Sequence, residues 1–310
     1  MAEIDYRALN AMAGSPEQMI AEAEAAYHLH IRSLAESISS DREVKLVLLA
    51  GPSGSGKTTT ANLLADALRT LGEDALVVSL DDFYKDASDP TYPKTPWGER
   101  DYESPDSLRL EELSFTLDSI IKGESFFIPK YDFKTAARVG MKRYEPREHM
   151  LVIIEGLHAL NPRIADPLPS SSVLKLFVSV STNVNDGDER IISGRKMRFV
   201  RRMVRDSIYR GADAKRTLEM WRGVLEAEDK YLYPYKETAD VAFDTFHSFE
   251  PSVMASFAKR LIDPELEATS PYAAVVIEAL RRIREIDPHL VPENSLIKEF
   301  IPGGIYEHLY

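Results

Sequence analysis

The stretch Leu46-Val47-Leu48-Leu49-Ala50-Gly51-Pro52-Ser53-Gly54-Ser55-Gly56-Lys57-Thr58 decides how this chain is read. An apolar run feeds a glycine-rich turn that closes on Gly-Lys-Thr. The spacing Gly51-x4-Gly56-Lys57-Thr58 is the pattern of a phosphate-binding loop. Gly51, Gly54 and Gly56 let successive backbone N–H groups turn inward around an anion. Lys57 is expected between the outer two phosphates of a nucleotide, and the Thr58 hydroxyl on a Mg²⁺ ion. A helix starting near Lys57 aims its positive end at the same phosphates. The nucleotide contacts are therefore expected at Gly51, Ser53, Gly54, Ser55, Gly56, Lys57, Thr58 and Thr59. The flanking pattern agrees. Val44 to Leu49 reads as a buried strand, and Thr58 to Leu71 as a helix with Leu63, Leu64, Ala67, Leu68 and Leu71 at helical spacing.

Moving outward, strand and helix signals alternate. Ala75 to Leu80, Met150 to Ile154, Leu174 to Val180 and Val241 to Phe243 read as strands, and Pro105 to Ile121 as a helix. The alternation predicts an α/β fold, a mostly parallel sheet with helices on both faces. Residues 44–249 form the expected nucleotide-binding domain. Residues 1–43 read as a helical N-terminal extension, with Ser15, Pro16 and Gln18 forming an N-cap and capping box for a helix ending at Ser40. Residues 250–310 read as a helical C-terminal extension packed on the same domain, with helices over Ser252 to Leu261 and Pro271 to Ile286. His28 and His30 lie two apart and point to different sides of a helix, a poor arrangement for a metal.

Composition bounds the function. The 310-residue chain is 44% hydrophobic, with a net charge of −12 and no cysteine. The charge argues against general binding to nucleic acid or anionic membranes. No apolar run approaches the roughly 20 residues that span a bilayer, and the acidic N-terminus does not read as a signal peptide. Without cysteine there is neither a disulfide framework nor a thiolate metal site. A cytoplasmic protein is expected, with self-association into a homo-oligomer left open.

In a parallel sheet the residues just beyond the strand ends carry the chemistry. Ser79-Leu80-Asp81-Asp82-Phe83-Tyr84 ends one strand. There Asp81 suits acceptance of a proton from an attacking hydroxyl, or a place in a metal's water shell. A helix cap or acidic turn accounts for the two aspartates equally well. Glu155, closing Val152-Ile153-Ile154-Glu155-Gly156, stands where a metal-directed acid is expected, or is a solvent-facing strand end. Arg100 to Asp106 and Pro129 to Phe133 suit a pocket for a flat ring and hydroxyls, or are surface loops. Ser193 to Arg216 is strongly basic, and Arg198, Arg201, Arg202 and Arg205 share one side of a helix. That face suits a lid closing over phosphates; a solvated face or a nucleic-acid patch are the other readings.

Taken in order, these segments resemble the uridine kinase and phosphoribulokinase family, and within it the bacterial uridine/cytidine kinases. The matching segments are Gly51 to Thr58, Ser79 to Tyr84, Tyr102-Glu103-Ser104-Pro105-Asp106, Tyr131-Asp132-Phe133 with Arg138, and Glu155-Gly156. Arg201 to Asp206 with Arg210-Gly211, then Pro234 and Ala239-Asp240-Val241, complete the set. Trp221, Glu228 to Pro234 and Ser295 to Gly304 look like features of a bacterial nucleoside-kinase subgroup. The resemblance covers roughly residues 44 to 245.

It implies a P-loop kinase with Mg²⁺ and ATP (or GTP). The γ-phosphoryl group passes to a nucleoside 5′-hydroxyl, with uridine or cytidine the expected acceptor, an activity of pyrimidine salvage. By position, Asp81 is similar to the family's general base, and Lys57, Arg205 and Arg210 to residues meeting the transferring phosphates. Tyr84, Asp101, Tyr131, Phe133, Arg138 and Arg202 fall where the acceptor is held, Asp101 matching an acid that binds ribose hydroxyls. Thr58, Asp81 and Glu155 match the metal surroundings. The chain departs from the pattern at Ala136, where the family has a histidine, and at Ala212, where a lid arginine is expected. Val178 to Asn183 lacks the usual aspartates, and Val184 to Lys196 is longer than in small uridine kinases. Other readings are a phosphoribulokinase-like or other small-molecule kinase with a different acceptor, a non-kinase nucleotide-binding regulator, and an RNA-associated ATPase.

Overall fold

A computed structural model describes residues 2–95 and 98–309. A short strand, β1 (Glu3–Asp5), leads into helix α1 (Tyr6–Met12) and the long helix α2 (Pro16–Ser40). Strand β2 (Leu46–Ala50), the glycine-rich loop, helix α3 (Lys57–Thr70) and strand β3 (Asp74–Ser79) follow. Beyond a tight turn at Leu80–Phe83 come helix α4 (Leu110–Lys122), the hairpin β4 (Phe126–Asp132) and β5 (Ala137–Tyr144), and strand β6 (Met150–Glu155). A single turn, α5 (Pro162–Ala165), precedes strands β7 (Val173–Ser179), β8 (Asn183–Asp186) and β9 (Glu189–Ile192). Helices α6 (Gly194–Tyr209) and α7 (Ala214–Tyr231), strand β10 (Val241–Asp244), and helices α8 (Glu250–Leu261), α9 (Pro264–Thr269) and α10 (Pro271–Arg281) complete the regular elements.

Five strands form one parallel sheet in the order β10-β7-β2-β6-β3. Its centre, β2, is fully buried at every residue, as a parallel strand covered on both faces must be. Side chains alternate across it. Val47 and Leu49 join a hydrophobic cluster on one face, Leu46, Leu48 and Ala50 a second cluster on the other. The first cluster draws Leu9 and Ile31 from the N-terminal segment and Val253, Leu280, Ile297 and Phe300 from the C-terminal one.

Several sequence expectations need correcting. The N-terminal segment is not wholly helical. Its β1 pairs in parallel with β8, which pairs antiparallel with β9, so the lengthened stretch after Val184 is a hairpin within a separate three-stranded sheet. Ser15 precedes α2 but its side chain makes no cap bond. Gln18 instead reaches Glu22, one turn on, so no capping box forms. The helix expected from Pro105 starts at Leu110, because Pro105–Ser107 is a separate tight turn capped by Ser104. Similarly, α10 stops at Arg281 rather than Ile286. No helix among the described residues is long and apolar enough to cross a membrane.

Because the sheet is parallel, β2, β3 and β6 deliver their C-terminal ends to one edge. The phosphate loop, the turn carrying Asp81 and the side chain of Glu155 therefore meet there without any long connection having to place them.

Candidate active site

The loop between β2 and α3 is held by sterics that require glycine. Gly54 and Gly56 have φ of +72° and +84°, a region costly for residues with a Cβ. At Gly51 a Cβ would lie 2.3 Å from the Val178 carbonyl oxygen. The loop's own carbonyls are gripped from outside. Arg198 Nη1 donates to Ser53 O (2.9 Å), and Arg201 Nη1 to Gly54 O (3.2 Å). Both arginines are buried, with 1% and 0% of their surface exposed, so each needs a counter-charge. Glu228 on α7 binds both terminal nitrogens of Arg198, at 2.8 and 2.9 Å, and accepts from Ser53 N. Glu250 on α8 pairs with Arg201, which also donates to Thr245 O at 2.8 Å.

The basic helix is thus divided. Arg198 and Arg201 are braces, closed off from any ligand. Arg202, Arg205 and Arg210 instead gather around one buried carboxylate, Asp206, at 3.3, 3.1 and 3.5 Å. Arg202 Nη1 also donates to Ser53 Oγ at 2.8 Å. Three guanidiniums against Asp206, with Glu299 3.9 Å from Arg205, leave net positive charge beside the loop. Its mark is Arg210, whose pKa is lowered to about 10, chiefly by Arg205 and then by burial. Such a cluster fits the polyanionic tail of a nucleotide.

On the acid side, Lys57 Nζ donates to Pro52 O at 3.2 Å. Its charge is felt by Asp81, Glu155 and Glu103. Thr58 Oγ1 donates to Glu155 Oε1 at 3.3 Å. Glu155 is buried, and desolvation raises its pKa to about 7 against the pull of Lys57. Among the described residues no three His, Asp or Glu side chains are grouped to hold a metal by themselves. The oxygen donors Thr58 and Glu155, with Asp81 nearby, nevertheless fit Mg²⁺, which commonly takes one or two protein oxygens and completes its shell from phosphates and water.

The adjacent aspartates have separate fates. Asp81 is exposed at the sheet edge, with its backbone N–H bonded to Ser79 Oγ at 3.3 Å. Crowding by protein on its other sides raises its pKa, opposed by Lys57, Arg210 and Arg205. Asp82 instead accepts from Tyr131 N at 3.2 Å and ties the β4–β5 hairpin to the turn.

That hairpin brings an aromatic group to the cleft. The Tyr84, Tyr131 and Phe133 rings pack with centroids 5.1 to 5.9 Å apart, and Phe133 is 63% exposed. Ala136 sits at φ +51° in the hairpin turn, its carbonyl accepting from Ala87 N at 2.8 Å. Arg138 lies opposite Tyr131 on β5, but its guanidinium is paired with Glu112 of α4. Asp101 opens the polar turn before Ser104. Its carboxylate accepts from Glu103 N at 3.1 Å, and the charges of Asp81, Lys57 and Arg202 are felt by Glu103 instead. Desolvation raises the pKa of Glu103. Sequence reasoning passed over Glu103, two residues away inside the same motif. It also passed over Glu250 and Glu299, whose partners lie far off in the chain.

A strand–loop–helix glycine-rich turn, an exposed aspartate and a bank of arginines at one sheet edge fit a P-loop phosphotransferase. The sequence profile of the phosphoribulokinase / uridine kinase family matches residues 46–250. The chain belongs to that family and is an ATP-dependent kinase. It is 28% identical to the uridine kinase of Halobacterium salinarum over 71% of this chain and 85% of that one. It is 29% identical to the uridine kinase of Chloroflexus aurantiacus over 64% and 85%. A solved structure described as a possible uridine kinase from Bacillus stearothermophilus aligns over 71% of this chain and all of that one, with 21% identity and a TM-score of 0.46.

Proposed function

We propose that this kinase transfers the γ-phosphoryl group of ATP, or GTP, to the 5′-hydroxyl of uridine or cytidine, with Mg²⁺. The observation that carries the reading is the position of Asp81. It is exposed and feels the Lys57 charge, on the sheet edge that bears the phosphate loop, next to the turn that carries the Tyr84–Tyr131–Phe133 group. The aromatic rings hold a flat base, and Glu103 accepts from sugar hydroxyls. Asp81 takes the proton of the 5′-hydroxyl as its oxygen bonds to the γ-phosphorus and the bond to the departing nucleoside diphosphate breaks. A raised pKa makes Asp81 a better proton acceptor than an ordinary aspartate. Lys57, Arg202, Arg205 and Arg210 offset the charge on the transferring group. Thr58 and Glu155 would hold Mg²⁺, which would supply neutralisation of phosphate charge. We further read residues 44–249 as the kinase domain and the two terminal segments as extensions packed on it.

A different alcohol acceptor is the second reading, favoured by Ala136, which offers no polar side chain in the hairpin turn. The test is phosphorylation with Mg²⁺-ATP across nucleosides, sugars and sugar phosphates, each product identified by mass. Uridine and cytidine monophosphates are expected. A labelled sugar instead would transfer the reading to the second acceptor class, and no labelled acceptor would overturn both.

A further inference from the structure

The end of the chain reaches the phosphate loop. The turn Leu296–Glu299 is buried throughout. Leu296 covers Gly56 so closely that a Cβ there would lie 2.7 Å from its side chain. Three residues on, Glu299 Oε2 accepts from Thr59 N at 3.2 Å, and its other oxygen lies 3.9 Å from Arg205 Nη1. Thr59 is the third residue of α3. Its amide therefore lies in the first turn of the helix, where N–H groups are bonded by side chains, water or ligands. In a phosphate loop these amides are what the helix offers to an anion. Glu299 is a carboxylate of the chain itself on that position, close enough to Glu155 to push its pKa up. The turn is anchored on both sides, by Ser295 Oγ accepting from Ile297 N at 3.1 Å and by the Phe300 ring 4.9 Å from the Arg201 guanidinium.

We propose that Glu299 is an internal anion that a nucleotide phosphate displaces, so that the turn Leu296–Glu299 gates the donor site. The proposal rests on the loop being the nucleotide site. A carboxylate and a phosphate cannot share one amide, and beside each other they repel. Without nucleotide, Glu299 holds the Thr59 amide and lies beside Arg205. With nucleotide, the phosphate takes the amide and Arg205, and Glu299 withdraws. Leu296 is one turn away in the same element, so its cover over Gly56 loosens with it. Apparent affinity is then reduced by the fraction of molecules in which the gate is shut.

The test is Mg²⁺-ADP binding by calorimetry to the wild-type chain, Glu299→Gln and Lys57→Ala. The glutamine keeps shape and hydrogen bond but removes the charge, and should bind ADP roughly tenfold more tightly. Hydrogen exchange on the wild-type chain gives a second readout that needs no variant. ADP should slow exchange at residues 51–59 and speed it at 296–300. Wild-type binding that Lys57→Ala weakens, with unchanged or weaker binding by Glu299→Gln, would leave the nucleotide site standing and overturn the gate. Slowed exchange at 296–300 on ADP addition would do the same. If neither the wild-type chain nor Glu299→Gln binds ADP, the kinase reading and the gate fall together.

Discussion

Arg198 and Glu228, both almost fully buried, are joined by two hydrogen bonds of 2.8 and 2.9 Å, and both also bind the backbone of Ser53. The pair therefore links α6 and α7 to the phosphate loop. Breaking a buried pair by removing one partner strands the other charge, at a cost of about 3–5 kcal/mol. Glu228→Ala should lower stability in urea by that order and weaken nucleotide binding together with it. Loss of stability below about 1 kcal/mol, measured at equal m-value, would show that the pair does not hold the loop.

Asp81→Asn should lower kcat by about 10²- to 10⁴-fold, the range for a lost general base, while Mg²⁺-ADP binding stays close to wild type. Steady-state kinetics alongside calorimetry separate the two effects. Turnover within a few-fold of wild type would remove Asp81 from proton transfer.

Glu103 and Asp101 give a paired prediction. Burial raises the pKa of Glu103, which feels the charges of Arg202, Asp81 and Lys57, whereas the Asp101 carboxylate accepts from Glu103 N. Glu103→Gln should raise the acceptor KM by roughly ten- to a hundredfold, as expected when a charged hydrogen bond is lost. Asp101→Asn should raise it less. The reverse order in acceptor titrations at saturating ATP would restore Asp101 as the hydroxyl-binding acid.

The raised pKa of Glu155, about 7, sets a pH dependence. Below that value the carboxyl carries a proton that must leave before it can bind a cation. Apparent Mg²⁺ affinity should therefore rise by up to about tenfold per pH unit below about 7 and level off above it. Glu155→Gln should flatten the profile. A flat wild-type profile between pH 5.5 and 8 would place the metal elsewhere.

Glu24 is buried on α2, 3.6 Å from His28 and 3.9 Å from His247, and burial raises its pKa to about 7. Between about 4.5 and 7 the folded chain keeps a proton that the unfolded chain has released. Stability consequently falls as pH rises through that window, and the penalty is complete above it. Glu24→Gln should raise Tm at pH 8 by a few degrees and at pH 4.5 hardly at all. Equal shifts at both pH values would contradict the assignment.

Much of the glycine-rich loop and its sheet edge was legible in the sequence. A phosphate loop is local: glycine spacing fixes the backbone, and the strand before it and helix after it show as periodic apolar patterns. The alternation of those patterns gave the parallel sheet, which by itself sends Asp81 and Glu155 to the loop's edge. Strand and helix boundaries mostly fell within a residue or two, whereas the N-terminal strand β1 was invisible. Three residues without a periodic signal become a strand only because β8 offers an edge.

What tertiary structure alone decided was how the charges were shared out. The sequence placed Arg198, Arg201, Arg202 and Arg205 on one helix side, but a helical period cannot say which of them meets a glutamate. Those partners, Glu228 and Glu250, come from separate helices 30 and 49 residues away. Burial then makes pairing compulsory, turning Arg198 and Arg201 into braces and leaving Arg202, Arg205 and Arg210 to share Asp206, with Glu299 beside Arg205. The same holds for Glu299 beside Thr59, 240 residues apart. The geometry of the loop was written locally in Gly51 to Thr58. Which acids and bases remain available to a substrate depends on long-range desolvation and pairing, which no local pattern encodes.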